Sequence, residues 1–259
     1  MPSGKILAVA NQKGGVGKTT TAVSLAACLA SLGFTVLLLD FDPQANATGS
    51  LGLDSRTIHP NAYDVLAGRA AVPAAALPVE RPGMYLLPSN PDLGGAEVEL
   101  VGLDGRELLL QERLADAAAA YDLTLIDCPP SLSLLTVNAL VAASDGVLVP
   151  VQCEYLALEG LSRLMQTVEA VRRSFNPRLA IAGILMTMYD VRTNLAAEVV
   201  QEVRRHLPGQ VFREAIPRSV RLSEAPSRGQ TILKYAPNSA GAVSYMLVAR
   251  ELAQRLSLG

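Results

Sequence analysis

The sequence predicts one α/β domain: a doubly wound, mainly parallel sheet with helices on both faces. Three observations predict it. Short apolar runs alternate with longer segments of helical spacing, half of the 259 residues are apolar, and a glycine-rich turn joins the first apolar run to the first helical one. Such alternation builds βαβ units with right-handed crossovers, and strands covered on both faces read as continuous apolar runs. A chain of this length buries a full core. Residues 1–259 contain no repeat, low-complexity tract or linker, so one domain is expected.

The elements follow in order. Ile6–Ala10, Thr35–Leu39, Tyr85–Leu87, Leu123–Ile126, Gly146–Val151 and Ala180–Met186 read as buried strands. Thr19–Leu32, Arg106–Ala119, Leu134–Ala143, Ala157–Ser174 and Asn194–His206 have helical spacing and length. A final helix, from about Ser239 to Leu256, is expected to pack on the sheet. Pro73, Pro78, Pro82 and Pro88 punctuate a looser stretch, with strands resuming on either side.

Composition excludes several classes. No apolar run reaches the roughly 18 residues of a membrane span, and the start, Met1-Pro2-Ser3-Gly4-Lys5, lacks the layout of a signal peptide. Cys28, Cys128 and Cys153 are odd in number and far apart, which argues against a disulfide framework or zinc site and for a reducing cytosol. The net charge of −2 speaks against a generic nucleic-acid binder, yet its distribution is uneven. Residues 1–185 carry 12 basic and 18 acidic side chains; residues 186–259 carry 10 basic and 6 acidic. That asymmetry marks either a polyanion-binding face or ordinary surface variation.

The stretch Lys13-Gly14-Gly15-Val16-Gly17-Lys18-Thr19-Thr20 lies where a phosphate-binding loop must lie, after a strand and at the start of a helix. Glycines let the backbone turn its N–H groups toward phosphate, and the helix N-terminus adds favourable dipole. Lys18 is placed to reach the β- and γ-phosphates of ATP, and the Thr19 hydroxyl to ligate Mg²⁺. The usual pattern opens on glycine five residues before Gly17, where this chain has Gln12. Lys13 is therefore an extra positive charge at the mouth of the loop. The chain holds only four lysines, Lys5, Lys13, Lys18 and Lys234, so one beside the phosphates reads as functional.

Two acidic sites stand at strand ends, where ligands bind on open α/β sheets. Leu37-Leu38-Leu39-Asp40-Phe41-Asp42 closes the second strand, and Leu123-Thr124-Leu125-Ile126-Asp127 has the apolar-then-Asp form of a metal-holding segment. Asp127 is the expected Mg²⁺ ligand, directly or through water. Asp42 is the candidate for orienting the attacking water. Asp40 either assists the metal shell or caps the following turn. Phosphoryl transfer needs positioning, an aligned water and positive charge on the γ-phosphate. Lys18 and Mg²⁺ supply charge within the site, and Lys13 is free to serve a neighbouring subunit.

These residues resemble the deviant phosphate loop of the ParA/MinD ATPases. Asp40–Thr48, Gln152–Gly160 and Ile216–Ser227 narrow the likeness to the ParA/Soj chromosome-partitioning family, over nearly the whole chain from Lys5 to about Leu256. With no helix-turn-helix ahead of the loop, it resembles the short chromosomal type. The resemblance implies an ATP-sandwich homodimer in which Lys13 crosses to the partner's phosphates. Lys18 and Thr19 act within their own subunit, and Asp42, also near the metal, promotes hydrolysis. It implies non-specific binding of the dimer to double-stranded DNA, slow hydrolysis stimulated by a ParB-type partner, and a cytoplasmic, nucleoid-associated protein without stable membrane association. Met186, Pro217 and Arg218 match the region near adenine, although Ser219 stands where many relatives have Asn.

Arg192, Arg218 and Arg221 resemble family positions that contact DNA, and phosphate neutralisation needs no stacking platform. Arg218 serves either nucleotide or DNA. Glu198, Glu202, Glu214 and Glu224 lie nearby as alternative ion-pair partners. His59 and His206 are isolated. Two other readings share the fold. A ligase of the dethiobiotin synthetase type would need a second polar substrate pocket. A MinD-like membrane switch would need a terminal basic amphipathic helix, which Ala253–Gly259 is too short and too weakly charged to form.

Overall fold

The computed structural model describes residues 4–154 and 157–259. Met1, Pro2 and Ser3, on which the leader reading partly rests, lie outside the described residues. So do Tyr155 and Leu156 of the Gln152–Gly160 segment.

The chain runs β1 (Lys5–Val9), α1 (Lys18–Ser31), β2 (Val36–Asp40), α2 (Asn46–Ser50), α3 (Ala62–Leu66) and α4 (Val72–Ala75). It continues through β3 (Leu77–Pro78), β4 (Met84–Leu87), α5 (Leu93–Glu99), α6 (Leu109–Ala115), β5 (Leu123–Asp127), α7 (Leu134–Ala142) and β6 (Val147–Gln152). It closes with α8 (Ala157–Ser174), β7 (Ile181–Thr187), α9 (Asn194–His206), α10 (Val220–Ser227), α11 (Ile232–Tyr235) and α12 (Ala240–Arg255). The expected helix over Arg106–Ala119 is shorter, because its alanine-rich end relaxes into a separate 3₁₀ turn at Ala118–Ala120.

Seven strands form one sheet in the order β3-β4-β2-β5-β1-β6-β7. Every pairing is parallel except that of the two-residue β3 with β4. Side chains alternate across each strand, and two cores result. Ile6, Ala8, Leu37, Leu39, Ile126 and Val149 face α3 to α9. Leu7, Val9, Val36, Leu38 and Leu125 face α1 and α12. The expected layering of helices on both faces is present.

α1 is rich in alanine and buried almost all round, packed between the sheet and α12. It ends where Gly33 takes φ +98°. The Gly33 N–H donates to Ala30 O at 3.1 Å and the Phe34 N–H to Leu29 O at 3.2 Å, which satisfies two terminal carbonyls. The Thr21 and Tyr245 hydroxyls share a hydrogen bond of 3.1 Å that ties α1 to α12. Leu25 and Leu29 are fully buried beneath them. Truncating either to alanine would cost about 2–5 kcal/mol.

Asp145 anchors the start of β1. Its carboxylate accepts the Ile6 N–H at 3.0 Å and pairs with Lys5 Nζ at 3.0 Å.

Candidate active site

Strand register assembles the site. Asp127 is level with Val9 of β1 on one side and with Asp40 of β2 on the other. The segments leaving the carboxyl ends of β1, β2 and β5 therefore start at one height. That edge is where the chain reverses its direction of strand addition, the usual ligand crevice of an open α/β sheet.

The glycine-rich loop follows β1. Gly15 and Gly17 take φ +77° and +88°, which L side chains rarely adopt, while the space beside each is open. Backbone conformation, not crowding, calls for glycine there. Gly17 is the N-cap of α1, and no side chain caps that helix start, so its first N–H groups face the loop's concavity. Two buried side chains hold the loop to the sheet. Asn11 donates its amide N–H to Pro150 O at 2.7 Å and accepts the Lys13 N–H at 3.0 Å. Thr187 donates its hydroxyl to Val16 O at 2.8 Å. Neither was singled out from sequence, and only a polar residue beside the loop's first position hinted at Asn11.

Lys18 is buried and its Nζ donates to Lys13 O at 3.3 Å. Burial pushes its pKa down, while Asp127, Cys128 and Asp42 pull it up. Lys13 is more open, with its side chain 41% exposed, and its ammonium pairs with Glu154 of the same chain.

Three carboxylates follow at the ends of β2 and β5, close enough for Asp40 and Asp42 to act on Asp127 by charge. Asp40 is fully buried and satisfied. Its Oδ2 accepts both the N–H and the hydroxyl of Thr48 at 2.7 Å, so it ties down the first turn of α2. Burial, outweighing these bonds, raises its pKa to about 6. Of the two roles open to Asp40, the turn-capping one is present. Asp42 is buried, and its Oδ1 accepts the Gln44 N–H at 2.9 Å.

Asp127 differs from both. It is fully buried, and neither carboxylate oxygen has a hydrogen-bond partner. Burial and then the charges of Asp40 and Asp42 push its pKa well up, opposed by the nearby Thr19 hydroxyl and Lys18. A buried carboxylate left without partners is costly in isolation. A hard cation beside it, shared with the Thr19 hydroxyl, would supply what is missing, and this oxygen donor set suits Mg²⁺. Among the described residues no three His, Cys, Asp or Glu side chains form a metal cage.

A cavity of about 280 Å³ opens beside the start of α1, lined by Gly17, Thr20, Met188, Pro217, Arg218 and Leu222, among others. Parallel bridging of Tyr189 with Pro217 builds its wall, and Met188 at its rim takes φ +53°. Of the residues expected near a base, Pro217 and Arg218 line this space. Met186 lies instead in the core on the other face of β7, and Met188 takes the wall position.

Of the candidate DNA contacts, Arg192 is clamped by Asp190, with Nε donating at 2.9 Å and Nη2 at 2.6 Å. Arg221 pairs with Glu224 at 2.9 Å. Glu202 is taken by Arg205, and Glu214 accepts the Ser244 hydroxyl. Arg218 faces the cavity.

The family described as "AAA domain" matches residues 4–181. The chain is 50% identical over 250 residues to the sporulation initiation inhibitor protein Soj of Bacillus subtilis, covering 96% of this chain and 98% of that one. It is 52% identical over 250 residues to the chromosome-partitioning ATPase Soj of Thermus thermophilus, covering 96% of each. Among solved structures, cobyrinic acid a,c-diamide synthase of Mycobacterium smegmatis with bound ADP and magnesium superposes with a TM-score of 0.86 at 39% identity. The match covers 98% of this chain and 96% of that one.

Proposed function

The chain belongs to the ParA/Soj family of chromosome-partitioning ATPases, and from that premise we propose that it is an ATP-timed switch that holds DNA as a dimer and leaves it after hydrolysis. One observation carries the catalytic part: the buried, unpartnered Asp127 carboxylate level with the glycine-rich loop.

Thr19 and Asp127 would hold Mg²⁺, which when bound would neutralise charge on the phosphates. Loop N–H groups and Lys18 hold the phosphates within the subunit, and Pro217 and Arg218 border the base. Asp42 orients the water that attacks the γ-phosphorus, with ADP leaving. Lys13 exchanges Glu154 for the phosphates of a second copy, which makes dimer formation depend on the γ-phosphate. Arg192 and Arg221, and Arg218 if it turns outward, neutralise DNA phosphates without base readout. A ParB-type partner accelerates the hydrolytic step, and the protein works in the cytoplasm on the nucleoid. Among the described residues no helix is long and apolar enough to cross a membrane.

The likeness to a diamide synthase keeps a metabolic ligase in view, but the partitioning relatives are more similar, at 50–52% against 39% identity. A gel-shift with duplexes of unrelated sequence tests the proposal. Retardation of each by the ATP form but not the ADP form, weakening steeply with salt, is expected. Equal behaviour with both nucleotides, or binding to one sequence alone, would overturn it.

A further inference from the structure

The Ser89 hydroxyl, just past β4, donates to the backbone carbonyl of Asp42 at 2.8 Å. Parallel pairing of Leu39 with Leu87 brings these two segments side by side as they leave the sheet. The Ser89 N–H donates to Thr48 Oγ at 2.9 Å, and the Thr48 hydroxyl donates in turn to Asp40 Oδ2 at 2.7 Å. Ser89, Thr48 and Asp40 are each wholly buried. One residue thus grips the segment 40–48 at two points, once by its side chain and once by its main chain. Its hydroxyl holds the backbone of Asp42, and its N–H orients the threonine that satisfies Asp40.

We propose that Ser89 is a positioning residue for hydrolysis, fixing the backbone from which Asp42 reaches the attacking water. This rests on the reading of Asp42 as the residue that orients that water. Ser89 is wholly buried and reaches Asp42 through its backbone carbonyl. It acts because small displacements of a catalytic group are costly: about 1 Å can cost about a hundredfold in rate. Removing the hydroxyl leaves the Asp42 carbonyl with a second donor, the Ala45 N–H at 2.8 Å. It also leaves the Ser89 N–H on Thr48. The segment therefore loses its lateral tether but not its turn.

The test compares Ser89→Ala, Ser89→Thr and Asp42→Ala with the unaltered protein, measuring turnover at saturating ATP, KM for ATP, and ATP-dependent change in mass. Ser89→Ala is expected to lower kcat about ten- to a hundredfold, to move KM less than about threefold, and to retain the ATP-dependent mass change. Ser89→Thr, which keeps the hydroxyl, is expected to recover most of the rate. An unchanged kcat in Ser89→Ala overturns the proposal, and so does a fall in kcat matched by lost nucleotide affinity, which would mark a merely structural role. Normal hydrolysis by Asp42→Ala would overturn the underlying reading instead, whatever Ser89→Ala does.

Discussion

Asp127 and Asp40 are register partners at the ends of β5 and β2, both fully buried, yet only Asp40 has its carboxylate hydrogen-bonded. Among the described residues Asp127 is the one buried acid left without a hydrogen-bond partner, and it lies beside the phosphate loop. Asp127→Asn removes a group whose ionisation burial opposes, so the nucleotide-free protein should become more stable by about 1 kcal/mol. The same change should abolish the tightening of nucleotide binding by Mg²⁺. Thermal unfolding and nucleotide titration with and without Mg²⁺ check both halves. A variant that is destabilised and still Mg²⁺-responsive would contradict this reading.

Lys18 and Lys13 separate into different roles by burial. Lys18 is inside the loop, whereas Lys13 is exposed enough to exchange its Glu154 partner for another anion. Lys13→Gln should therefore leave monomer affinity for ADP within about threefold and abolish ATP-dependent association. Lys18→Gln should weaken both nucleotides by about 2 kcal/mol or more, since it removes a charge-assisted contact. Calorimetry with ADP, paired with sedimentation in ATP, separates the two.

The Asp190 clamp on Arg192 has a consequence for DNA. Asn at position 190 keeps the acceptor that receives the Arg192 N–H at 3.0 Å but loses the charge that neutralises the guanidinium. Asp190→Asn should tighten DNA binding of the ATP form about threefold or more at low salt and steepen the salt dependence by up to about one phosphate contact. Arg192→Ala should do the reverse. Fluorescence anisotropy across a salt series is the measurement, and an unchanged slope in both variants would remove Arg192 from the DNA surface.

Asp145 gives a pH prediction. Burial pushes its pKa up, but the Ser144 hydroxyl, the Ile6 N–H and Lys5 outweigh it, and the net shift is downward. A carboxylate lowered on folding stabilises above its unfolded value of about 3.9, and that stabilisation is lost as pH falls. Asp145→Asn should thus cost about 1 kcal/mol near neutrality, allowing for partial solvent screening. The gap from the unaltered protein should close below about pH 3 to 4. Denaturant midpoints at pH 7 and at the acid end check the closure.

Much of the fold was legible because buried parallel strands write themselves as apolar runs. Ile6–Ala10 and Leu123–Ile126 differ from the observed β1 and β5 by single residues. β3 had no such signature, being two residues long with a proline at a sheet edge. The short α3 did carry a signal that went unused, the capping box between Asn61 and Asp64. In the site, the loop and its carboxylates were local patterns and so were visible. Asn11, Thr187 and Ser89 act through partners 139, 171 and 47 residues away, and no spacing rule reaches that far. Met186 was carried over by resemblance. Strand alternation turns Thr187 toward the cavity and Met186 away from it, and Met188 lines the cavity because its φ of +53° departs from the strand path.

The central claim is that ATP joins two copies and that hydrolysis parts them. The most direct measurement is the solution mass of Asp42→Ala by light scattering, in Mg²⁺ with ATP and then with ADP. The account predicts twice the monomer mass, persisting for hours, in ATP, and monomer in ADP. Monomer in both nucleotides, with ATP bound, would contradict it.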